Sequence, residues 1–322
     1  MDLKLTKADR IILKHLAYNS RIPEKVLAQH CNLSKDSIRY RIKRLERLGI
    51  IKGYGVFVDF TVLGYTSYKL YLKLNATIQQ KKALVAFLGK QPSVFSIFES
   101  YGNWDIGTAI FAKSRKDYYD FETALLSAFG DIISSKHFCL MLDAVIFNNY
   151  FLHEDKHLQE YSFWKSDSLE TLDATDKLLL QELHKDSTAT LVTLAGKANL
   201  SIDSVSKRIK KLNDKKIVAF YPTTIDYTLL GYEKYKLFIS VKNYSTEAER
   251  KLFAFLKIQK QTLNIIRIIG PWKLEVEFLI REYTEFYNIL SVLQEKFSEH
   301  ILKLEFSIFR NDILFPSEHL LL

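Results

Sequence analysis

The sequence is short of the features that mark secreted, disulfide-bonded and membrane proteins. Its 322 residues include only 2 cysteines, Cys31 and Cys139, which lie far apart and have no partners at metal-ligand spacing. We expect both to be reduced, buried thiols in a cytoplasmic protein. No apolar run reaches the ~18 residues of a membrane-spanning helix, so no membrane partner is expected. The first ten residues, MDLKLTKADR, also lack the apolar core of a secretory signal.

Sequence motifs that indicate catalysis are scarce as well. There is no glycine-rich phosphate loop, nucleophile elbow or paired-carboxylate arrangement. One stretch, FLHEDKHLQEY, does match the H-E-x-x-H pattern of zinc proteases through His153, Glu154 and His157. A zinc protease also needs a buried helix, a third ligand and a substrate cleft, and this polar, unduplicated stretch offers none of them. We therefore predict a linker here, with no metal, no cofactor, no catalytic residue and no enzymatic activity.

The most informative feature is an internal repeat. Shifted by 167 positions, the sequence matches itself without a gap for about seventy residues. NLSKDSIRYRIKRL (Asn32–Leu45) meets NLSIDSVSKRIKKL (Asn199–Leu212), and DFTVLGYTSYKL (Asp59–Leu70) meets DYTLLGYEKYKL (Asp226–Leu237). One inserted residue later, Gly102-Asn103-Trp104 meets Gly270-Pro271-Trp272. The chain is therefore a tandem duplication of a unit of about 150 residues.

Each unit begins with a pattern typical of three short helices. In the first unit, Thr6 is placed to cap helix one, Pro23 to begin helix two, and Ser34 to cap helix three after the tight turn CNLS. YGVFVDF then predicts a strand that ends at Gly64. Three helices with a helix-turn-helix and a following strand indicate a winged helix-turn-helix head.

The rest of each unit alternates strands and helices in the order β-α-β-β-α-β. This order predicts a ferredoxin-like domain, an antiparallel sheet with two helices on one face. The fold class is thus α+β: two copies of a winged helix-turn-helix head, each followed by a ferredoxin-like domain. The predicted segments are residues 1–53 (head), 54–150 (strand and ferredoxin-like domain), 151–171 (linker), 172–220 (second head), 221–316 (second strand and ferredoxin-like domain) and 317–322 (tail).

The basic excess of the chain is concentrated in the third helix of each head. The net charge is +9. Residues 35–52 carry seven positive and two negative side chains, a local charge of +5, and the equivalent part of the second unit carries +4. Ile38, Ile42 and Leu45 form the apolar stripe of the first of these helices, which leaves the basic side chains on the other faces.

A basic helix is often only a solvated surface, but here it follows a helix-turn-helix turn and occurs twice, which favours contact with double-stranded DNA. Ser34, Ser201, Arg41, Arg44, Arg208 and Lys211 are expected to hold phosphates, and Arg39, Tyr40, Lys43, Ser206, Lys207 and Lys210 to reach base edges or nearby phosphates. The predicted DNA-binding set also includes Lys35, Ser37, Arg47 and Ser204.

The stretch from LTKADRIILKHL to IKGYGVFVDFTVLGY resembles the head and hinge strand of the Lrp/AsnC (feast-or-famine) regulators, and the domain after it resembles their sensor domain. The resemblance implies a transcription regulator whose sensor (RAM-type) domains pair face to face, with the hinge strands helping the pairing. It also implies that a small effector, often an amino acid, binds at a G-x-x-D turn, which Gly102, Asn103, Trp104 and Asp105 match. In the second unit Lys273 replaces the acid, so sensing there is doubtful. The same turn can also be simply a hairpin turn.

Family members usually have one unit and dimerise, so we expect this chain to be an intramolecular pseudo-dimer, with further homo-oligomerisation left open. The third helix of each head is its reading helix. The two reading helices differ, with Lys35 against Ile202, Arg39 against Ser206 and Tyr40 against Lys207, which predicts an asymmetric operator. An alternative of another class is a siroheme decarboxylase, because those enzymes share this architecture and work as paired or fused units. A third is an interaction scaffold that binds no nucleic acid, which the duplicated basic helices disfavour.

Overall fold

The computed structural model of this protein describes residues 5–147, 160–163 and 169–314. These residues fall into two compact units. The first contains both helical heads with their hinge strands, up to Leu63 and again up to Tyr232. The second contains both ferredoxin-like domains, from Gly64 to Val145 and from Glu233 onward. Along the sequence, the chain therefore passes from the first unit to the second and then through both units again. Each hinge strand belongs to the same unit as the heads.

The first unit contains the three helices predicted for each head. Their bounds are α1 Lys7–Leu16, α2 Glu24–Cys31 and α3 Lys35–Arg47 in the first copy, and α6 Ala174–Lys185, α7 Leu191–Ala198 and α8 Ile202–Asp214 in the second. The predicted caps Thr6 and Ser34 are confirmed, whereas Pro23 lies just before α2, as its N-cap residue, rather than inside it. Asn32 and Asn199 end α2 and α7 in the left-handed conformation, each with a φ of 51°, which asparagine adopts more readily than most residues.

Each reading helix is fixed to the start of the first helix of its head by a buried aspartate. Asp9 is completely buried, and its carboxylate accepts hydrogen bonds from Arg41 Nη1 at 2.9 Å and from Arg44 Nη1 at 3.4 Å. Burial favours the neutral carboxyl group, but the hydrogen bonds from Thr6 and Arg41 outweigh it, so the pKa of Asp9 is lowered. Asp176 holds Arg208 and Lys211 in the second copy in the same way.

The hinge strands of the two copies pair with each other. YGVFVDF forms two short strands rather than the single strand predicted, with bounds β1 Ile51–Tyr54 and β2 Phe57–Val58. Their counterparts in the second copy are β8 Val218–Phe220 and β9 Thr223–Ile225. Strand β1 pairs with β9 and β2 with β8, all antiparallel. The equivalent hydroxyls of Ser20 and Ser187 lie 2.5 Å apart, so the two heads meet at equivalent residues.

The second unit contains the β-α-β-β-α-β order twice, which confirms the predicted α+β fold class. The first copy consists of β3 Thr66–Leu74, α4 Ile78–Gly89, β4 Val94–Gly102, β5 Ile106–Ala112, α5 Arg115–Phe129 and β6 Ile133–Phe147, with a short strand β7 Glu160–Phe163 after it. The second copy consists of β10 Glu233–Val241, α9 Thr246–Lys257, β11 Thr262–Ile269, β12 Leu274–Ile280, α10 Tyr283–Lys296 and β13 Ile301–Leu314.

The two four-stranded sheets of this unit join at both edges. Within the copies the strand orders are β4-β5-β3-β6 and β11-β12-β10-β13. Strand β13 pairs with β4, and β6 pairs with β11, so the eight strands close on themselves. Closure satisfies backbone groups that each sheet would otherwise leave unpaired at its edges. Among the residues described here, no helix has both the length and the apolar character needed to cross a membrane.

The two faces of the closed sheet bury different kinds of side chain. On the outer face of the first copy, Leu70, Ile97 and Ile110 pack with Leu84 of α4 and Leu125 of α5 in an apolar core. Because side chains alternate along a strand, their neighbours in sequence face the interior of the closed sheet. Those neighbours include Lys69, Tyr71 and Phe98, with Lys236 and Glu275 from the second copy.

Gly107 on β5 should tolerate no side chain. A Cβ atom at this position would lie 1.8 Å from Cζ of the buried Phe98 ring. We predict that Gly107→Ala lowers the free energy of unfolding by about 1–3 kcal/mol through overpacking, measured by urea unfolding with fluorescence of the buried Trp104 and Trp272 as the signal. Adding Phe98→Ile should recover part of the loss. Gly196→Ala in α7, where a Cβ atom meets nothing within 4 Å, is the control and should stabilise or be neutral; an equal loss in both variants contradicts the prediction.

The buried ion pair of Asp9 predicts a pH-dependent stability of the heads. Because its folded pKa is lowered, the contribution of Asp9 is fully present above its unfolded pKa of about 3.9 and is lost as pH falls through the folded value. Asp9→Asn should therefore cost about 1–3 kcal/mol at pH 7, with the deficit shrinking below about pH 4. Urea unfolding followed by helical circular dichroism measures it. Asp36→Asn, at a side chain 92% exposed, is the control; a deficit that does not change with pH counts against the ion pair.

Candidate nucleic-acid interface

The first reading helix, α3, presents an exposed basic face. Its apolar residues Ile38 and Leu45 are completely buried and Ile42 is half-buried. The predicted DNA-binding residues that are exposed on this helix or at its cap are Ser34, Lys35, Arg39, Tyr40, Lys43 and Arg47. The Tyr40 side chain, at 63% exposure, is unusually open for an aromatic residue. The face thus presents four cations and one aromatic ring along one helix.

The second reading helix, α8, presents a different face at the same positions. Its exposed predicted residues are Ser201, Ser206, Lys207, Lys210 and Lys211, and Ile202 is 49% exposed beside them. Asp214 stands where the first copy has Arg47, so a negative side chain replaces a positive one. Lys207 forms an ion pair with Asp203 at 2.8 Å, with both side chains largely exposed. The basic face of α8 is therefore weaker than that of α3.

The cap serines already have a structural role. The hydroxyls of Ser34 and Ser201 each accept a hydrogen bond at 3.2 Å, from the backbone N–H of Ser37 and Ser204 respectively. Ser37 and Ser204 are themselves half-buried in the first helical turn. The first turns of both helices remain at exposed N-termini, where backbone N–H groups and the helix dipole favour an anion.

Four of the residues expected to hold phosphates also form ion pairs within the heads. Arg41 and Arg44 are bonded to Asp9, and their counterparts Arg208 and Lys211 to Asp176, as described above. Arg41 and Arg208 are also partly covered, with about 27% and 30% of their side chains exposed. Within the heads these four side chains fix the reading helix against the first helix, and their contact with phosphates stays a prediction. The repeat aligns Asp9 with Asp176, which marks both aspartates as equivalent. Sequence reasoning did not identify the basic side chains of the third helix as their partners.

Arg39 is also less free than its helix position suggests. Its guanidinium donates to both carboxylate oxygens of Glu24 on α2, at 3.1 and 2.7 Å, and contacts Asp36 at 3.4 Å. The side chain is still 52% exposed, so it can exchange one anionic partner for another. Glu24 was not predicted as part of this surface, and the second copy has Leu191 in its place.

A crevice of about 500 Å³ lies beside α3 in the first unit. Arg39, Lys43 and Glu46 line one side, and the opposite side comes from the second head at Thr188–Thr190. Arg21 reaches across to the second head and donates a hydrogen bond to the Ala189 carbonyl at 3.0 Å. Sequence reasoning assigned no role to Arg21, because only the folded heads bring it to the second copy.

The predicted effector turn is occupied by contacts within the chain. Asp105 accepts a hydrogen bond from the Leu74 N–H at 2.8 Å and pairs with Lys73 at 3.3 Å. Asn103 exchanges hydrogen bonds with β13, through the side chain of Glu305 at 2.6 Å and the backbone of Phe306. Trp104 is buried, and Gly102 has a φ of 117°, which favours glycine. The four residues are therefore close together, but they chiefly join the first sensor domain to the second.

The H-E-x-x-H residues His153, Glu154 and His157 lie outside the described residues. Within the described part of the chain, no three His, Cys, Asp or Glu side chains are grouped so that they could hold a metal ion. Cys139 is buried as predicted, and burial raises the pKa of its thiol, while Cys31 is only half-buried.

Comparisons with known protein families match both heads. Residues 5–52 match the model of a winged helix-turn-helix DNA-binding domain, and residues 172–213 match that of the AsnC-type helix-turn-helix domain. Among similar proteins, the HTH-type transcriptional regulator PF1734 of Pyrococcus furiosus is 26% identical over 138 residues, 43% of this chain and 93% of the relative. The HTH-type transcriptional regulator FL11 of Pyrococcus horikoshii is 24% identical over 121 residues, 38% of this chain and 80% of the relative. Each relative therefore matches about one unit.

A solved structure matches the whole chain rather than one unit. The siroheme decarboxylase NirDL superposes with a TM-score of 0.66 over 98% of this chain and 96% of its own, at 12% identity. At this identity the likeness shows a common fold. The prediction of no enzymatic activity was wrong, since an enzyme has the same arrangement over nearly the full length of this chain.

The two family-model matches and the one-unit regulator relatives agree with the repeat and with the folded heads. They confirm the resemblance that the sequence carried. The chain therefore contains two helix-turn-helix DNA-binding domains, the second of AsnC type, and it is similar to transcriptional regulators that carry one such domain.

Proposed function

We propose that this protein is a sequence-specific, DNA-binding transcription regulator of the Lrp/AsnC type. The observation that carries the proposal is the exposed basic face of α3, where Lys35, Arg39, Lys43 and Arg47 all reach solvent. Their helix has 13 residues and is therefore about 20 Å long, a length and diameter that a major groove admits. Because these cations lie on the second helix of a helix-turn-helix, they can meet phosphates and base edges at once. As its partner would be chromosomal DNA, we expect the protein in the cytoplasm.

The two heads are proposed to act as one pseudo-dimeric reader. Paired hinge strands and the contact between Ser20 and Ser187 hold the heads together, which supports simultaneous use of both reading helices. A symmetric dimer reads a palindrome, because both of its helices present the same side chains. Here α3 and α8 differ in charge at Arg47 and Asp214. The proposed operator is consequently two unequal half-sites.

We also propose that an amino acid or similar small effector modulates the protein at Gly102–Asp105. The support is the match to the G-x-x-D turn and the position of the turn where the two sensor domains join. An effector amine would have to replace Lys73 as the partner of the Asp105 carboxylate. The second copy has Lys273 in place of the acid, so we expect one effector site per chain.

Tetrapyrrole chemistry is the second candidate, favoured by the whole-chain match to a siroheme decarboxylase. In the sensor pair, the His137 ring stacks on Trp272 with ring centroids 5.7 Å apart and lies tilted beside Trp104 at 4.7 Å. Its buried Nδ1 atom has no hydrogen-bond partner among the described residues. A neutral imidazole nitrogen is a possible ligand for iron. However, these rings already contact one another, so a tetrapyrrole could enter only if they moved.

The DNA-binding proposal predicts how charge removal on α3 changes affinity. Lys43→Ala/Arg47→Ala should weaken binding to duplex DNA and reduce the slope of log K against log salt by up to about 2, since each phosphate contact contributes about 0.9. Fluorescence anisotropy over a salt series measures both quantities. Lys116→Ala/Lys251→Ala is the matched control, because it removes the same charge from side chains 78% and 63% exposed in the sensor domains.

Equal losses in the two double variants would mean that only net charge matters, and undetectable DNA binding by wild type would overturn the regulator proposal. Siroheme added to the same preparations distinguishes the second candidate. A shifted Soret band that disappears in His137→Ala supports tetrapyrrole binding, whereas an unchanged free-siroheme spectrum counts against it.

The unequal reading helices predict an asymmetric operator. Selection of bound duplexes from a random pool should yield two different half-sites about one or more helical turns apart. Asp214→Arg, which gives α8 the cation that α3 has at this position, should make the selected half-sites more alike. A perfect palindrome selected by wild type would contradict the proposal.

A further inference from the structure

Glu24 holds Arg39 of the first reading helix by one edge of its guanidinium group. Glu24 is the first residue of α2, and Arg39 lies in the second turn of α3. Arg39 Nε donates a hydrogen bond to one carboxylate oxygen at 3.1 Å, and Nη2 donates to the other oxygen at 2.7 Å. Both oxygens of the carboxylate are thus bonded to the edge that carries Nε.

The opposite edge of the same guanidinium is nearly free. A guanidinium carries its N–H donors in one rigid plane and can serve two acceptors side by side. The bonds to Glu24 leave both hydrogens of Nη1 and the second hydrogen of Nη2. Nη1 contacts the Asp36 carboxylate at 3.4 Å, which is long for a charge-assisted hydrogen bond. We call the Nη1–Nη2 edge the outer edge, and it remains open to a closer acceptor.

The outer edge lies beside the exposed N-terminal part of the reading helix. Asp36, which contacts Nη1, belongs to the first turn of α3, and 92% of its side chain is exposed. In a helix-turn-helix, residues near the N-terminus of the recognition helix contact base edges in the major groove. The free donors of Arg39 are therefore on the part of the helix that would meet the bases.

Guanine is the base that matches the outer edge. In the major groove, guanine presents two neighbouring acceptors, N7 and O6. Adenine has a donor beside its N7 acceptor, thymine has a methyl group beside its O4 acceptor, and cytosine presents a donor. An arginine that donates from its outer edge can therefore form two hydrogen bonds with guanine and with no other base.

Stability does not explain the pair of Glu24 and Arg39. The two side chains are 37% and 52% exposed, and an ion pair so open to water contributes little to folding. What the pair restricts is the Arg39 side chain, which has many rotamers when nothing holds it. Fixing a long side chain before binding lowers the entropy cost of ordering it at an interface.

The second head lacks both members of the pair. Leu191 is the first residue of α7, and Ser206 lies in the second turn of α8, at the positions of Glu24 and Arg39. Asp203 remains at the position of Asp36. The head without the arginine is thus also without the glutamate, although it keeps the neighbouring aspartate. A glutamate that serves the arginine accounts for this difference.

We propose that Glu24 positions Arg39 to read a guanine in the half-site bound by α3. Glu24 holds the Nε edge, and the outer edge donates to N7 and O6 of the base. The target is a G·C base pair at one position of one half-site. The proposal rests on the DNA-binding function proposed above, and it adds the residue that sets specificity at that position.

The first test measures discrimination at a single base pair. Duplexes selected by the wild-type protein from a random pool supply the site. Replacing each base pair in turn finds the one whose change no longer alters the affinity of Arg39→Ala, and we expect a G·C pair. Fluorescence anisotropy then compares the selected duplex with the duplex that has A·T there, and wild type should prefer the former by about tenfold or more.

Removing the Glu24 charge should reduce that preference. In Glu24→Gln we expect the ratio of the two affinities to fall by about threefold or more, and in the Arg39→Ala background the same change should leave the ratio unaltered, because the two residues act as a unit. The thermal unfolding midpoint should stay that of wild type, since the pair is exposed. An unchanged ratio in Glu24→Gln overturns the proposal.

Glu46→Gln is the matched control. It removes the same charge from an exposed position of α3, where Glu46 accepts a hydrogen bond from the Tyr54 hydroxyl at 2.6 Å. Loss of a negative charge should strengthen binding to both duplexes alike, so the ratio should stay that of wild type. An equal fall of the ratio in Glu46→Gln and Glu24→Gln would make charge alone responsible and would overturn the positioning role.

The second head allows a test by gain of specificity. Leu191→Glu/Ser206→Arg places the pair at the equivalent positions of α7 and α8, and selection should then yield a guanine at the equivalent position of the second half-site. Ser206→Arg alone should give a weaker preference, because nothing holds the new guanidinium. No new guanine with the double change, or an equal preference with Ser206→Arg alone, contradicts the proposal.

The outcomes separate this proposal from the function on which it rests. Undetectable binding of the wild-type protein to duplex DNA overturns both. Selective binding by wild type with no base pair that depends on Arg39, or with one that is not G·C, overturns the guanine proposal alone.

Discussion

The structure of the second unit depends on the pairing of sheet edges between the two copies of the repeat. Each sensor sheet alone would expose the backbone groups of β4 and β6, or of β11 and β13, to solvent. Pairing β13 with β4 and β6 with β11 satisfies them and encloses the inner faces of both sheets. That enclosure is the reason why Lys69 and Glu275, which would be surface residues in a single open sheet, become a buried ion pair.

The two copies have diverged where a symmetric dimer could not. A substitution in an identical subunit changes both sides of its interface, because a two-fold dimer uses the same residues twice. Fusion removes this constraint, and one copy can carry the Glu275 carboxylate while the other carries Gly107 and Phe98. The same freedom applies to the reading helices, where Arg47 and Asp214 stand at equivalent positions. An asymmetric interior and asymmetric heads are two results of one duplication.

A regulator and an enzyme share this architecture, so the fold by itself does not separate them. What distinguishes them is the chemistry of particular sites. The feature that favours DNA binding is an exposed row of cations on the heads at Lys35, Lys43 and Arg47. The feature that bears on tetrapyrrole binding is a set of aromatic rings around His137 in the sensor pair, which contact one another. The first arrangement suits a polyanion as it stands, whereas the second would need to open before a large ligand could bind.

The sequence by itself determined the repeat, the helices of the heads with the caps Thr6 and Ser34, and the β-α-β-β-α-β order, because caps and apolar periodicity act over a few residues. It also placed the basic excess on α3 and α8. Only the tertiary structure decided which of those cations are free. Arg41 is bonded to Asp9, 32 positions away, and Arg39 to Glu24, 15 positions away. The pairing of Lys69 with Glu275, 206 positions apart, was equally beyond sequence reasoning. Helical spacing gives the direction of a side chain but not its partner, since the partner is chosen by how distant segments pack.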